Sequence, residues 1–285
     1  MSDDQARARS RRVVVFGVDG VRYDTLQAAH TPRIDAIGAQ GFLTPLRVNA
    51  AGPTISGPCW STMATGVLAP TNNIANNDMR GHRLDEHPDF LTRVRQEIPG
   101  ARTYAAANWP PLVSEAQGGP IFRGGGDLVV EHPDHGIEEW EVAETTVAAD
   151  AVKVLGSEDI TAAFVYFGSP DGIAHEFGVC PDYTAAIERS DARIGQVLDT
   201  ILARPTAAQE HWTVIVATDH GHVDAGGHGG DSPEERTAWM AAYGPTVPTT
   251  APADLEQADV CAQVLTSLGI PLDPSWELVG RPFTR

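Results

Sequence analysis

The chain has 285 residues, long enough to bury a sizeable core as one large domain or two small ones. Hydrophobic residues make up 42% and charged residues 20%, the balance of a soluble globular protein rather than of a disordered or membrane-spanning one. The formal net charge of -18 excludes a basic nucleic-acid surface, and a phosphate site on so acidic a chain requires metal ions to reverse the local field.

In chain order, the charged stretch MSDDQARARSRR predicts a flexible tail over residues 1–11. VVVFGV (13–18) is a β-branched run with the pattern of a buried parallel strand, ending at Asp19 and Gly20. It meets Asp19 too early for the apolar core of a signal peptide, and no run approaches the roughly 18 apolar residues of a membrane span. Cys59, Cys180 and Cys261 have no close pairing spacing and read as free thiols in a reducing compartment, so the expectation is a cytoplasmic chain off the membrane.

Residues 31–40 predict a short helix with Pro32 near its start. PTISGPCWSTMATG (53–66) predicts a turn and then a helix, a junction whose free N–H groups attract anions. Its candidate nucleophiles are Thr54, Ser56, Cys59 and Ser61, and the stretch alone does not choose among them. RTYAAANW (102–109) predicts a strand, and 138–156 a helix with Val142, Val147, Val152 and Leu155 on its apolar side. TAAFVYFG (161–168) is a second buried strand ending in an acidic loop. Residues 183–203 form the clearest amphipathic helix, with Ile187, Ile194, Leu198 and Ile201 on one side. WTVIVATDHG (212–221) repeats the strand-then-acid unit, and 258–270 predicts a last helix capped by Gly269. Segments 117–137 and 223–233 read as loops rich in Gly, His and Asp.

Strands alternating with helices predict an α/β fold: a three-layer α/β/α sandwich with a mostly parallel central sheet. No linker interrupts it, so residues 12–285 read as a single domain. In such sheets ligands bind beyond the carboxyl ends of the strands. Asp19, Asp171 with His175, Asp219 with His220, and His228 all lie on short Gly-containing loops of this kind. Asp171 and His175 are one helical turn apart and share a face. Alone, each piece has an ordinary structural reading as a turn, a solvated helix face or a loop tip. Together they are too many ligands for one tetrahedral zinc and suit two ions sharing a substrate oxygen or nucleophile. His222, beside the TDHG stretch, is either a further ligand or a loop histidine, with the loop reading favoured.

These residues resemble the alkaline phosphatase superfamily, and within it the type I phosphodiesterase / nucleotide pyrophosphatase branch. The matching pieces are VDGVRYDTL (18–26), TPRIDAI (31–37), PTISGPCWSTMATG, YFGSPDGIAHEFG (166–178), VATDHG, HGG (228–230) and the tail from DVCAQVLTSLGI to GRPF (259–283). The resemblance implies two zinc ions, with manganese as the alternative. Asp171, His175 and His228 would hold one; Asp19, Asp219, His220 and the oxygen of Ser56 would hold the other. It implies that Ser56 is the nucleophile, forming a phosphoseryl intermediate, and that Thr54 is structural.

Three departures stand out. The branch usually has Thr at position 56. It has an Asn at position 59, where a thiol is a weak donor. It also places its last ligand histidine far downstream, whereas His228 follows His220 by eight residues, which implies a missing substrate-shaping insertion. Trp60 replaces the arginine that sulfatases need near their modified residue, so sulfatase activity is not expected.

The expected activity is hydrolysis of a phosphodiester or pyrophosphate, the substrate being a small phosphorylated molecule such as a nucleotide conjugate. The alternatives are a phosphomonoesterase or phosphonate hydrolase acting on a small metabolite, and a non-catalytic metal-binding protein. For a monoester's extra charge the candidates are Arg22, Asn76, Asn77, Arg80 and Arg83. For a second substituent the candidates are Trp60, Trp109 and Phe122, for each of which packing in the core is the favoured alternative. Cys59, Asn77 and Trp109 are the expected substrate contacts.

Overall fold

The computed structural model describes residues 11–123, 128–131 and 135–284. The expected tail lies outside the described residues except for Arg11, which opens the first strand. That strand, β1 (Arg11–Val18), is buried on both faces, which is why its sequence is continuously apolar. It pairs in parallel with β5 (Ala162–Phe167) on one side and β6 (His211–Ala217) on the other. β3 (Thr103–Ala107) and the two-residue β4 (Leu128–Val129) extend the parallel set beyond β5. Beyond β6 lies β7 (Thr237–Tyr243), antiparallel to β6 and to the edge strand β2 (Phe42–Arg47). The seven-stranded order is β2-β7-β6-β1-β5-β3-β4.

Helices cover both faces. On one face Val13 and Val15 pack with Trp60 and Met63 of α3 (Ser56–Thr65), Phe90 and Leu91 of α5 (Phe90–Glu97) and Val260 of α10 (Asp259–Ser267). On the other, Val14, Phe16 and Val18 pack with Ile34 of α2 (Pro32–Gln40) and Val147 of α6 (Ile137–Ser157). Ile173 of α7 (Ser169–Phe177) and Ile187 of α8 (Pro181–Leu202) complete that layer. The period-2 alternation of β1 therefore feeds two cores, and the three-layer α/β expectation holds. The short helices α1 (Tyr23–Ala28), α4 (Ala69–Asn72) and α9 (Pro233–Arg236) lie in the connections.

Three local expectations are corrected. The apolar side of α6 is Trp140, Ala143, Val147, Ala151 and Leu155, while Val142 is 68% exposed. Val142 lies five residues before Val147, off the three-to-four spacing that defines a helix stripe. β2 and β7 have no counterpart in the sequence reading. FLTPLR carries Pro45, tolerated because β2 is an edge strand, and TAWMAAY is built largely from helix-favouring residues that become a strand by pairing with β6. The 117–137 segment is not all loop, since it includes β4.

α7 carries two of the expected ligands and rests on Trp140 of α6. A Cβ built at Gly172 would stand 1.9 Å from Trp140 Cζ2. Gly172→Ala is therefore expected to destabilise the protein by about 2 kcal/mol through overpacking, measured by urea unfolding. A change within experimental error would show that this contact does not seat α7.

Candidate metal centre and nucleophile

Three adjacent parallel strands, β5, β1 and β6, end beside one another and each delivers an acid. Asp19 follows β1 directly, its N–H donating to Phe167 O at 3.0 Å. Gly20 continues the turn at φ 66, and a Cβ there would stand 2.5 Å from His222 Nε2. Asp171 and His175 lie on α7, whose start is held from behind. The Ser169 N–H donates to Glu144 Oε1 at 2.7 Å and the Gly168 N–H to Asn108 Oδ1 at 3.1 Å. Asp219 and His220 follow β6, where the Gln257 amide donates to Asp219 O at 2.5 Å.

The last expected ligand arrives on a loop tied to the nucleophile segment. The Thr54 hydroxyl donates to Gly230 O at 3.0 Å and accepts from the Gly229 N–H at 2.9 Å, and His228 Nδ1 lies 2.6 Å from Thr54 O. Thr54 thus has the structural place expected of it. Ser56 opens α3, 5% exposed, with its Oγ 3.4 Å from His220 Nε2.

The expected ligands gather as two groups. Asp171 Oδ1 lies 3.5 Å from both His175 Nε2 and His228 Nε2, and these two nitrogens are 2.9 Å apart. In the second group, His220 Nε2 lies 3.6 Å from Asp19 Oδ1 and 3.1 Å from Asp219 Oδ2. Four-coordinate zinc with bonds of about 2.0–2.1 Å separates its ligands by roughly 3.3 Å, so both spacings suit such an ion. The groups adjoin, the rings of His220 and His228 stacking with centroids 3.8 Å apart.

The donor chemistry fits a cation. His220 Nδ1 faces Gly221 O and His228 Nδ1 faces Thr54 O, so each ring donates there and keeps an Nε2 lone pair for the cluster. Among the described residues, Asp19 Oδ1 and Asp219 Oδ2 are buried acceptors without a partner. Burial and the charge of Asp171 push the Asp19 carboxyl up to about 7, and burial and the charge of Asp19 raise Asp219 well above the usual carboxylate range. Burial also pushes Asp171 up, but the hydrogen bond from His222 and the surrounding histidines reverse this and hold it low. Burial holds His220 and His228 neutral, the state in which imidazole binds metal.

His222 lies in a loop, but it faces the cluster. It is fully buried, with Nε2 2.9 Å from Asp171 Oδ1 and Nδ1 accepting the Gly227 N–H at 3.0 Å. Because Nδ1 accepts, Nε2 carries the proton and donates to Asp171, so His222 braces a candidate ligand. Its only sequence signal is its place two residues after His220, which does not reveal burial.

The expected pocket residues divide. Asn77 Oδ1 accepts the Gly57 N–H at 2.8 Å, which places it beside Ser56. Asn76 caps its own turn, accepting the Asp78 N–H. The Cys59 thiol is 2% exposed and faces Pro53 O at 3.6 Å, so it is turned to the loop rather than offered to a ligand. Ser61 is buried within α3 and bonds to Pro58 O. The aromatic candidates take the core-packing place that was the alternative to a pocket wall. Trp60 and Phe122 are fully buried and Trp109 is 8% exposed, all three in the core, because apolar packing outweighs display of a flat ring. Arg22 pairs with Asp24 and Asp224, Arg80 with Asp78, and Arg83 with Glu86. Among the described residues no helix is long and apolar enough to cross a membrane.

A sequence model described as type I phosphodiesterase / nucleotide pyrophosphatase matches residues 13–234. Human ectonucleotide pyrophosphatase/phosphodiesterase family member 7 is 23% identical over 255 residues, covering 80% of this chain and 51% of that protein. GPI ethanolamine phosphate transferase 2 of Aspergillus fumigatus is 23% identical, covering 92% of this chain and 35% of its own length. The chain thus spans about half, or less, of the curated relatives it matches. Among solved structures, a 2-O GAG sulfatase superposes with a TM-score of 0.75 at 12% identity, over 97% of this chain and 76% of its own. Murine ectonucleotide pyrophosphatase / phosphodiesterase 5 superposes with a TM-score of 0.66 at 16% identity, over 93% of this chain and 96% of its own. An inactive form of that murine protein is known in complex with AMP.

A raised carboxyl pKa means that the folded protein holds a proton the unfolded chain releases between about 4 and about 7. The stability this adds is present at low pH and lost as pH rises through about 7. In excess chelator, wild type is therefore expected to lose melting temperature relative to Asp19→Asn over that interval. A constant difference between the two proteins would contradict the burial of that charge.

Proposed function

Because the chain belongs to the type I phosphodiesterase / nucleotide pyrophosphatase family, we propose that it hydrolyses a phosphodiester or pyrophosphate bond of a small substrate, with Ser56 as nucleophile and two zinc ions as cofactors. The observation that carries this reading is the placing of Ser56 Oγ beside His220 Nε2, next to buried carboxylate oxygens of Asp19 and Asp219 that have no protein partner among the described residues. When bound, the ions supply positive charge that lowers the serine hydroxyl's pKa and stabilises the attacking and leaving oxygens.

The chain's own residues do the rest. Ser56 stands at the first position of α3, where helix N–H groups favour an anion. Its oxygen gives up its proton and forms a bond to phosphorus as the bond to the leaving oxygen breaks. The leaving oxygen takes a proton, and the resulting phosphoseryl group keeps the second substituent until water hydrolyses it, releasing a phosphomonoester and restoring the Ser56 hydroxyl. Asn77 fixes the start of α3 through the Gly57 N–H and is the side chain best placed to meet a phosphoryl oxygen, a role the resemblance gave to position 59. Thr54 fixes His228 relative to Ser56. Ordered second contacts of this kind keep a site within the tolerance that catalysis demands.

A diester is favoured over a monoester because each arginine considered for a monoester's extra charge has an acidic partner. Arg22 is held by Asp24 and Asp224, and Arg80 and Arg83 each have an acidic partner. A dianionic monoester finds no uncommitted cation among them. The AMP complex of the murine structural neighbour supports a nucleotide conjugate as substrate class. A single domain, a cytoplasmic location and the absence of nucleic-acid partners complete the proposal.

Zinc-loaded protein is expected to turn over bis(p-nitrophenyl) phosphate in preference to p-nitrophenyl phosphate. Ser56→Ala is expected to lower kcat for the diester by about a thousandfold or more, with the fold intact by circular dichroism. Preference for the monoester would favour the phosphatase alternative, and an active Ser56→Ala would remove Ser56 as nucleophile.

A further inference from the structure

At the Asp19–Asp219–His220 corner each carboxylate has one oxygen engaged and one free. Asp19 Oδ2 accepts from the Trp60 indole N–H at 2.8 Å and from the Tyr166 hydroxyl at 2.6 Å. Asp219 Oδ1 accepts from the Gly20 N–H at 3.1 Å. The remaining oxygens, Asp19 Oδ1 and Asp219 Oδ2, are the buried acceptors without partners among the described residues. All three donors are neutral, so they orient the carboxylates without cancelling their charge. With His220 Nε2 and Ser56 Oγ, the corner presents one nitrogen and three oxygens.

We propose that Trp60 and Tyr166 are positioning residues that hold Asp19 as a one-oxygen ligand, so that this corner accepts a compact four-coordinate cation and discriminates against calcium. Calcium takes about six to eight oxygens, with carboxylates often giving both of theirs. Zinc takes about four ligands, at shorter distances. Asp19 Oδ2 already accepts two hydrogen bonds, so for Asp19 to present both oxygens at least one of the bonds from Trp60 and Tyr166 must break, leaving a buried donor unsatisfied.

The fold is built around this clamp. Gly17 in β1 has no Cβ, and one placed there would stand 2.6 Å from Trp60 Cη2. The fully buried Trp60 ring meets Phe164 and Tyr166 edge-on, with centroids 5.7 and 5.5 Å away. Neither ring has room to swing aside and free Asp19. The inference rests on this corner holding an ion, as proposed above.

The test measures zinc and calcium binding to Tyr166→Phe, which keeps the ring, and to Trp60→Phe, by competition with a chromophoric chelator. Wild type is expected to bind two zinc ions and to prefer zinc strongly over calcium. Each variant is expected to bind one of its zinc ions about 10- to 100-fold more weakly, to keep the other unchanged, and to lose selectivity against calcium. If Trp60→Phe fails to fold, Tyr166→Phe carries the test alone. Unchanged affinity and selectivity, or equal weakening of both ions, would overturn the clamp. Wild type that binds no zinc would overturn the metal reading itself, a separate outcome.

Discussion

The arrangement depends on two carboxylates, Asp19 and Asp219, buried side by side at the ends of neighbouring strands. Removing such charges from water costs several kcal/mol each, and mutual repulsion adds to it. Neutral donors bind one oxygen of each, and among the described residues the other oxygen has no hydrogen-bond donor and faces His220 Nε2. Most of the local design follows from that. Gly17 and Gly20 make room, Trp60 and Tyr166 are drawn to Asp19, and His220 keeps a lone pair turned inward. The two candidate ligand groups at the carboxyl ends of β1, β5 and β6 are where a bound cation would offset this charge.

Much of this was legible in the sequence, for a definite reason. A parallel sheet aligns the carboxyl ends of its strands, so three apolar runs each ending in an acid place three acids together without further information. The one-turn spacing of Asp171 and His175 fixes their shared face once α7 is a helix. What stayed hidden depends on tertiary contact. His222 is defined by the Gly227 N–H and by Asp171, which local sequence does not report. The indole of Trp60 looks like a candidate pocket wall until Gly17 and Asp19 claim it. β7 is a strand because β6 and β2 lie beside it, against the preference of its alanines and methionine.

The departures from the family pattern acquire a physical setting. Cys59 is turned to Pro53, while Asn77 approaches the same end of α3 from another segment. The short interval between His220 and His228 is closed by a glycine-rich loop that Thr54 pins to the start of α3, so His228 reaches the cluster without a long insertion.

The measurement that tests the central claim most directly is a crystal structure of zinc-loaded protein with anomalous data at the zinc edge. Two peaks are expected. One lies among Asp171, His175 and His228; the other lies among Asp19, Asp219 and His220, within bonding reach of Ser56 Oγ. A single peak, or zinc bound only away from these residues, would contradict it.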